Sequence, residues 1–528
     1  MVCFSFGSCI ASGRVDLRSR CFISIVSLQD RSHYNFSSAL VVFGRSMFGF
    51  IENSPSCRGL VCSCHFLWGR AVDSNWHAVA VRSPRQKRGP ELQQKMTTEN
   101  NSMRREIGLP GAILMGLGSI VGTGVFVSIG VAAGVAGPNV LLAIFLAAML
   151  ATCNGLSSAQ LAASHPVSGG TYEYGHRWLV PWLGFAAGWL FLCAKSASAA
   201  TALLGLAGYV NSMMGREMSG VLLALAFGFL VLLTILTLVG IKRTNIANSL
   251  IVSTTLITLL IFVAFGSSAA FERAPENLTG VFGFENGSPS GLLFATALMF
   301  VAYTGYGRIA TLGEEVKNPR KTIPTAMIAT LGFTMLIYVV VGFVAVAVVG
   351  SESLANSTKT SVAPLLFAAS SLEIPWVRVT LFVGAITAML GVVLNLILGL
   401  SRVALAMSRR SDLPGFFSTV NQQGIPGRAT ILVACIIGSL VCIGDVKISW
   451  SFSAFTVLLY YSITNLCAIV IEKEQRLYPS WISWCGLIGC LSLAFFVTQK
   501  VAIAGIVLLG VGFIARMIFK SRSGNLES

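Results

Sequence analysis

Gly118-Ser119-Ile120-Val121-Gly122-Thr123-Gly124 interrupts one long apolar stretch of this chain, and Tyr303-Thr304-Gly305-Tyr306-Gly307 interrupts another. Inside hydrocarbon an unsatisfied backbone amide or carbonyl is costly, so broken helix persists at membrane depth only where it is buried in protein or lines a wet cavity. Two such breaks at corresponding positions of two halves point to the solute site of a secondary transporter.

The surrounding composition places both breaks in a membrane. Of 528 residues, 54% are hydrophobic and 11% charged, with a mean hydropathy of +0.76, too apolar for a soluble chain of this length. From Leu109 onward, apolar stretches long enough to cross a bilayer as helices recur between short polar loops. The expected fold is an all-α integral membrane protein of about twelve transmembrane helices. The expected spans are about residues 109–134, 138–163, 182–211, 219–240, 247–270, 291–312, 324–350, 377–407, 429–444, 449–471, 478–498 and 500–519. The third and eighth exceed what a perpendicular crossing needs, so tilt or protruding ends are expected there.

The net charge of +16 follows membrane topology. With the segment before span 1 in the cytoplasm, that side carries Arg104, Arg105, Arg177, Lys242, Arg243, Lys317, Arg320, Lys321, Arg402, Arg409, Arg410, Arg428, Lys473, Arg476, Arg516, Lys520 and Arg522. The opposite side carries Arg216, Arg273, Lys359, Arg378, Lys447 and Lys500. Seventeen against six is a strong positive-inside bias that puts both termini in the cytoplasm and leaves no need for a nucleic-acid partner. The plasma membrane is the expected residence, with an organelle envelope as the alternative.

Residues 1–95 differ from the rest: Ser- and Arg-rich, acid-poor, with no stretch of membrane length and a basic end at Arg85-Gln86-Lys87-Arg88. They read as an N-terminal extension, either without a fold or a targeting peptide, ahead of a transport domain over 96–528. Cys57, Cys62, Cys64 and His65 fit no standard zinc spacing, so neither a metal nor a cofactor is expected.

With spans 1–5 and 6–10 taken as two repeats, the glycine-interrupted helices come first in each. An odd number of spans per repeat inverts one half relative to the other, and the breaks meet near the midplane. Glycine lets the backbone leave helical geometry, freeing amide donors at the start of one half-helix and carbonyl acceptors at the end of the other. Amides suit a carboxylate and carbonyls an ammonium, so a zwitterion fits both. The alternative for Gly118 and Gly122 is a small-xxx-small packing face.

These motifs resemble the amino acid–polyamine–organocation superfamily of transporters. The most specific piece, Gly313-Glu314-Glu315-Val316-Lys317-Asn318-Pro319-Arg320-Lys321-Thr322-Ile323-Pro324, looks like that family's loop after the sixth span. Gly118 to Phe126, Pro166 to Tyr172, and Leu400 to Val403 with Asp412-Leu413-Pro414 resemble three further motifs in the same order. The resemblance implies an inverted five-plus-five fold with discontinuous helices 1 and 6. It also implies alternating-access transport of amino acids or related amines, by proton or sodium symport or by exchange. It makes Ser119, Ile120, Gly122, Thr123, Gly124, Ser196, Tyr303, Thr304, Gly305 and Tyr306 the candidate substrate contacts. Tyr303 or Tyr306 is a candidate aromatic gate.

Lys195 stands in mid-span 3, in Cys193-Ala194-Lys195-Ser196-Ala197-Ser198. An intramembrane ionisable residue is a functional candidate by default. A dry site favours the uncharged amine, so such a side chain can exchange a proton as its surroundings open and close. The alternatives are contact with an acidic substrate side chain or a structural, carbonyl-bonded lysine. Related transporters place a lysine in span 5 in lieu of sodium, whereas Ser253-Thr254-Thr255-Leu256 here has hydroxyls only. Arg308, Glu314, Glu315, Lys317 and Arg320 form a candidate cytoplasmic latch, against a plain solvated charge run.

These readings converge on proton-coupled symport of neutral or acidic amino acids. The rivals are sodium symport, exchange, and a receptor that binds without translocating. A membrane enzyme is disfavoured because no paired aspartates, HExxH or Ser with His occur in the spans. A channel is disfavoured because no ring-forming charged series does.

Overall fold

In the computed structural model, the residues described are 107–524 without 168, 215–218, 240–243, 280–287, 312, 314–315 and 422–423. The expectations for residues 1–95, the cysteines among them included, lie outside the described residues.

The described chain is helical. Span 1 comprises α1 (Leu109–Ile120), a π-helical turn (Gly124–Ser128) and α2 (Ile129–Ala136), and span 2 is α3 (Val140–Ser164). A short α4 (Thr171–Trp178) precedes α5 (Pro181–Met213), α6 (Ser219–Val239) and α7 (Thr244–Asn277), which are spans 3 to 5. Span 6 is α8 (Pro289–Tyr303), a 3-10 turn (Thr304–Tyr306) and α9 (Gly307–Thr311). Next come α10 (Pro319–Val349), the short α11 (Ser351–Thr360) and α12 (Pro364–Ser370), and α13 (Pro375–Arg409). The last four are α14 (Gly427–Val441), α15 (Val446–Val470), α16 (Ser480–Phe496) and α17 (Gln499–Gly524).

Among the described residues nine helical stretches are long and apolar enough to cross a membrane, the first holding both span 1 and span 2. The apolar α14 and α16 are shorter and fall at spans 9 and 11, so all twelve expected spans are helices. The unforeseen elements are α4, α11 and α12, loop helices too short or too polar for a hydropathy reading. The long spans 3 and 8 become α5 and α13, of 33 and 35 residues.

Local chemistry sets the ends. Proline occupies the first turn of α1, α5, α8, α10, α12 and α13, where its missing N–H leaves no intrahelical bond unmade. Ser288 and Asp445 cap α8 and α15 by accepting from the Gly291 and Ile448 amides, at 3.1 and 2.8 Å.

Packing shows the inverted repeat. Helix α5 packs on α15 as α13 packs on α7, and α1 packs on α10 as α8 packs on α3. The pairs α3 with α10 and α5 with α13 map onto themselves under exchange of the halves. A two-fold relation between spans 1–5 and 6–10 requires this pattern. Burial separates centre from periphery: the most apolar stretch of α5 is 89% buried and that of α17 only 17%. Lys195 therefore rides on the most enclosed helix.

Candidate functional site

The two breaks touch. A Cβ placed on Gly305 would lie 2.3 Å from the Ser119 carbonyl oxygen, so only glycine lets the second break lie against the end of α1.

They are broken differently. At the first, Val121 turns to extended backbone (φ −78, ψ 93), and the chain re-enters helix through a π turn, with Ser128 Oγ bonded to the Gly124 carbonyl. The freed carbonyls are satisfied from neighbouring helices. Tyr338 of α10 donates to Ile120 O at 2.8 Å, and Tyr209 of α5 donates to Phe126 O at 2.8 Å. The Tyr338 hydroxyl also lies 3.2 Å from Ala302 O, joining both breaks through one group. The second break is a tightened 3-10 turn, not the unwound stretch expected. Thr304 Oγ1 donates back to Val301 O at 2.7 Å, and Tyr461 of α15 donates to Thr304 O at 3.3 Å. Local hydroxyls there hold what glycine alone would have released.

Around this contact lies a cavity. Its wall takes Ser119, Ile120, Thr123 and Gly124 from the first break, and Thr304, Gly305, Gly307 and Arg308 from the second. Helix α5 adds Phe191, Lys195 and Ser198, α13 adds Val392, Asn395, Leu396 and Gly399, and α15 adds Trp450 and Tyr461. Lys195 Nζ donates to Thr304 Oγ1 at 2.7 Å, and the residue is 8% exposed. The Thr123 hydroxyl, in the same wall, is buried without a hydrogen-bond partner. A buried polar atom left unpaired next to a cavity is a place where a ligand gains binding energy.

Ten substrate contacts were expected, and the structure brings Ser119, Ile120, Thr123, Gly124, Thr304 and Gly305 into one wall with Lys195. Gly122, Ser196, Tyr303 and Tyr306 are outside it. Gly122 packs on α13, where a Cβ would meet Val392 Cγ2 at 2.5 Å, and Gly118 packs on α7, against Asn248 Oδ1 at 2.6 Å; for these two the packing alternative describes the geometry. Ser196 is wholly buried away from the cavity. Tyr303 turns its hydroxyl to Ile144 O at 3.3 Å, and the Tyr306 ring sits 5.6 Å from that of Tyr461. The tyrosine in the wall is Tyr461. Sequence reasoning passed over Tyr461, Trp450 and Asn395. Of these only Asn395, an amide inside the apolar run Leu394-Asn395-Leu396, carried a signal.

Of the expected latch, Arg308, Lys317 and Arg320 are described. Glu314 and Glu315 lie outside the described residues. Lys317 and Arg320 are exposed, and the Lys317 amide donates to Ile107 O at 2.8 Å, tying the lead-in of α1 to the loop after α9. Arg308 also lines the cavity wall, near Gly399 of α13.

A second polar centre sits where α4, the end of α13 and α17 meet. Asp412 accepts from Tyr172 Oη at 2.9 Å and from Arg516 Nε at 2.7 Å, with His176 Nε2 at 3.6 Å. Burial first, and then Asp412, raise the Tyr172 phenol well above its ordinary value, so it remains a donor. Beside it Arg410 makes two hydrogen bonds to Glu173, at 3.2 and 2.5 Å.

The amino acid permease family model matches residues 111–528. An uncharacterized transporter of Mycobacterium tuberculosis is 37% identical over 435 residues, covering 81% of this chain and 95% of that protein. The branched-chain amino acid permease BcaP of Bacillus subtilis is 28% identical over 404 residues, covering 72% and 84%. Among solved structures, MhsT in complex with L-phenylalanine superimposes with a TM-score of 0.51 at 17% identity, over 78% of this chain and 99% of that one, a likeness of fold.

Proposed function

Because the chain belongs to the amino acid permease family, we propose that its transport of amino acids is secondary active symport by alternating access, driven by protons and directed to neutral or acidic substrates. The α-carboxylate is bound by the amides that open the second half of span 1, at Thr123 and Gly124, with the Thr123 hydroxyl. The ammonium is bound at the carbonyl side of the second break. Both termini face the cytoplasm, the plasma membrane is the site of action, and residues 1–95 are an extension outside the transport domain.

The observation that carries the coupling step is the Lys195 to Thr304 hydrogen bond within the wall shared by both breaks. An ammonium there holds α5 to the substrate-binding turn of span 6. When the inward side opens and the amine loses its proton to water, it no longer needs that acceptor, and the turn is free to move. The sign follows: acid outside loads Lys195 and drives uptake, and acid inside opposes it.

Uptake of labelled amino acids into proteoliposomes, with and without pH and sodium gradients, tests this. An inward proton gradient is expected to stimulate wild-type uptake, and Lys195→Ala is expected to remove that stimulation while counterflow persists. Full pH-driven uptake by Lys195→Ala ends the coupling role, and stimulation by sodium alone ends proton coupling. Specific binding with no accumulation in vesicles would favour a receptor.

A further inference from the structure

Three hydroxyls answer the carbonyls around the second break, and they are not equivalent. Thr304 Oγ1 holds Val301 O at 2.7 Å within its own turn. Tyr338 lies 3.2 Å from Ala302 O but makes its shorter bond, at 2.8 Å, to Ile120 O of the first break. Tyr461 of α15 reaches Thr304 O at 3.3 Å, well beyond the optimum of about 2.7–2.8 Å for a hydroxyl donor. Tyr461 and Thr304 both line the cavity. A Cβ on Gly307, the next glycine of the break, would lie 3.2 Å from the Tyr461 hydroxyl, so that hydroxyl stands directly against the turn. Thr304 therefore takes two donors from neighbouring helices, Lys195 on its hydroxyl and Tyr461 on its carbonyl. The coupling step uses the first and leaves the second without a role.

Resting on the reading of this cavity as the substrate site, we infer that Tyr461 is a positioning residue for the substrate ammonium: its hydroxyl holds the Thr304 carbonyl, and the ammonium takes that acceptor from it. The exchange is favourable because a hydrogen bond from a charged donor is roughly twice as strong as one between neutral groups, and the bond given up is a stretched neutral one. The displaced hydroxyl has a second place to turn. The Tyr306 hydroxyl is buried without a hydrogen-bond partner, and its ring centre is 5.6 Å from that of Tyr461. A carboxylate that lacks an amine has nothing to offer Thr304 O and leaves the Tyr461 bond in place. Tyr461 thus makes the amine a condition of release: α15 lets go of the second break when an amine-bearing ligand arrives.

The test uses L-leucine and L-glutamate, each paired with the carboxylate lacking its amine, 4-methylpentanoate and glutarate, on the full chain in proteoliposomes. Tyr461→Phe keeps the ring and removes the competing hydroxyl. The KM of the transported amino acid is expected to fall by about three- to tenfold, the net worth of one neutral hydrogen bond, while the inhibition constant of its amine-free partner stays unchanged. A merely structural role would weaken both ligands together. Heat unfolding of the purified protein gives a second readout: without substrate Tyr461→Phe is expected to melt below wild type, its Thr304 carbonyl having lost a donor, and saturating amino acid should raise its midpoint by more than it raises that of wild type. The amine-free analogues should produce no such extra rise. A higher KM in Tyr461→Phe, or equal shifts for a ligand with and without its amine, overturns the inference and leaves the permease reading standing. Uptake of neither amino acid by the wild-type chain overturns both.

Discussion

The cavity between the broken helices and the cluster around Asp412 use the same residue types to opposite ends. At Asp412 charges are matched: Arg516 and Tyr172 bond its two oxygens, His176 stands by, and Arg410 is closed by Glu173. That cluster ties α4, the exit of α13 and α17 together. In the cavity, Lys195 has a neutral threonine as its partner, and the Thr123 hydroxyl is buried without one. Neutralisation from within makes a clamp, whereas a buried hydroxyl left unpaired beside a cavity makes a site.

Breaking the clamp is expected to produce the largest effect. The Asp412 side chain is 4% exposed and that of Arg516 is 14% exposed, so removing one partner strands a buried charge, a loss of about 3–5 kcal/mol. Asp412→Ala should lower the unfolding midpoint of the purified protein sharply. Asp412→Ala with Arg516→Ala should cost less than the two single changes added together, because the pair acts as a unit. Additive losses would mean that the ion pair contributes nothing beyond its separate contacts.

At the cavity the comparison turns on who satisfies the broken backbone. Tyr338 places one hydroxyl against Ile120 O and Ala302 O, in a side chain wholly buried. Tyr338→Phe keeps the ring and leaves those carbonyls without that donor, at about 1–3 kcal/mol for a buried group left unmet. Its unfolding midpoint should fall by less than that of Asp412→Ala, while KM rises, since the two breaks lose their common tie. A drop in stability with KM unchanged would confine Tyr338 to scaffolding.

How much of this was legible in sequence depended on how loudly each residue contradicts its surroundings. Twelve spans were legible because hydrocarbon demands long apolar helices, and the breaks because glycine clusters contradict that demand. Lys195 was legible because a charge in mid-span is costly. Tyr461 and Trp450 were hidden: an aromatic in an apolar helix is at home facing lipid or protein, and periodicity is a weak guide where a span is apolar on every side. The tightening of the second break was hidden as well, since a threonine bonding back to Val301 looks in sequence like any other threonine. Asp412, Arg516 and Tyr172 are each unremarkable in loops or at helix ends, and their pairing across more than a hundred residues is a property of the packed helices.

The smallest effect sharpens the comparison by showing that pairing alone does not make a clamp. Arg410 and Glu173 form two hydrogen bonds, one more than Arg516 and Asp412, yet the Arg410 side chain is 47% exposed. Water already solvates that guanidinium, so the bond replaces hydration instead of answering a buried charge, and such a pair is worth about 0–1 kcal/mol. The Arg410 guanidinium also stands 5.9 Å from the Tyr172 ring centre, a contact that is weak at an exposed position. Arg410→Ala should therefore shift the unfolding midpoint little, and by less still at high salt, where exposed charges are screened. A loss approaching that of Asp412→Ala would mean that the outer pair, and not burial of Asp412, holds α4 to the end of α13, and the distinction between clamp and site would have to be redrawn around exposure.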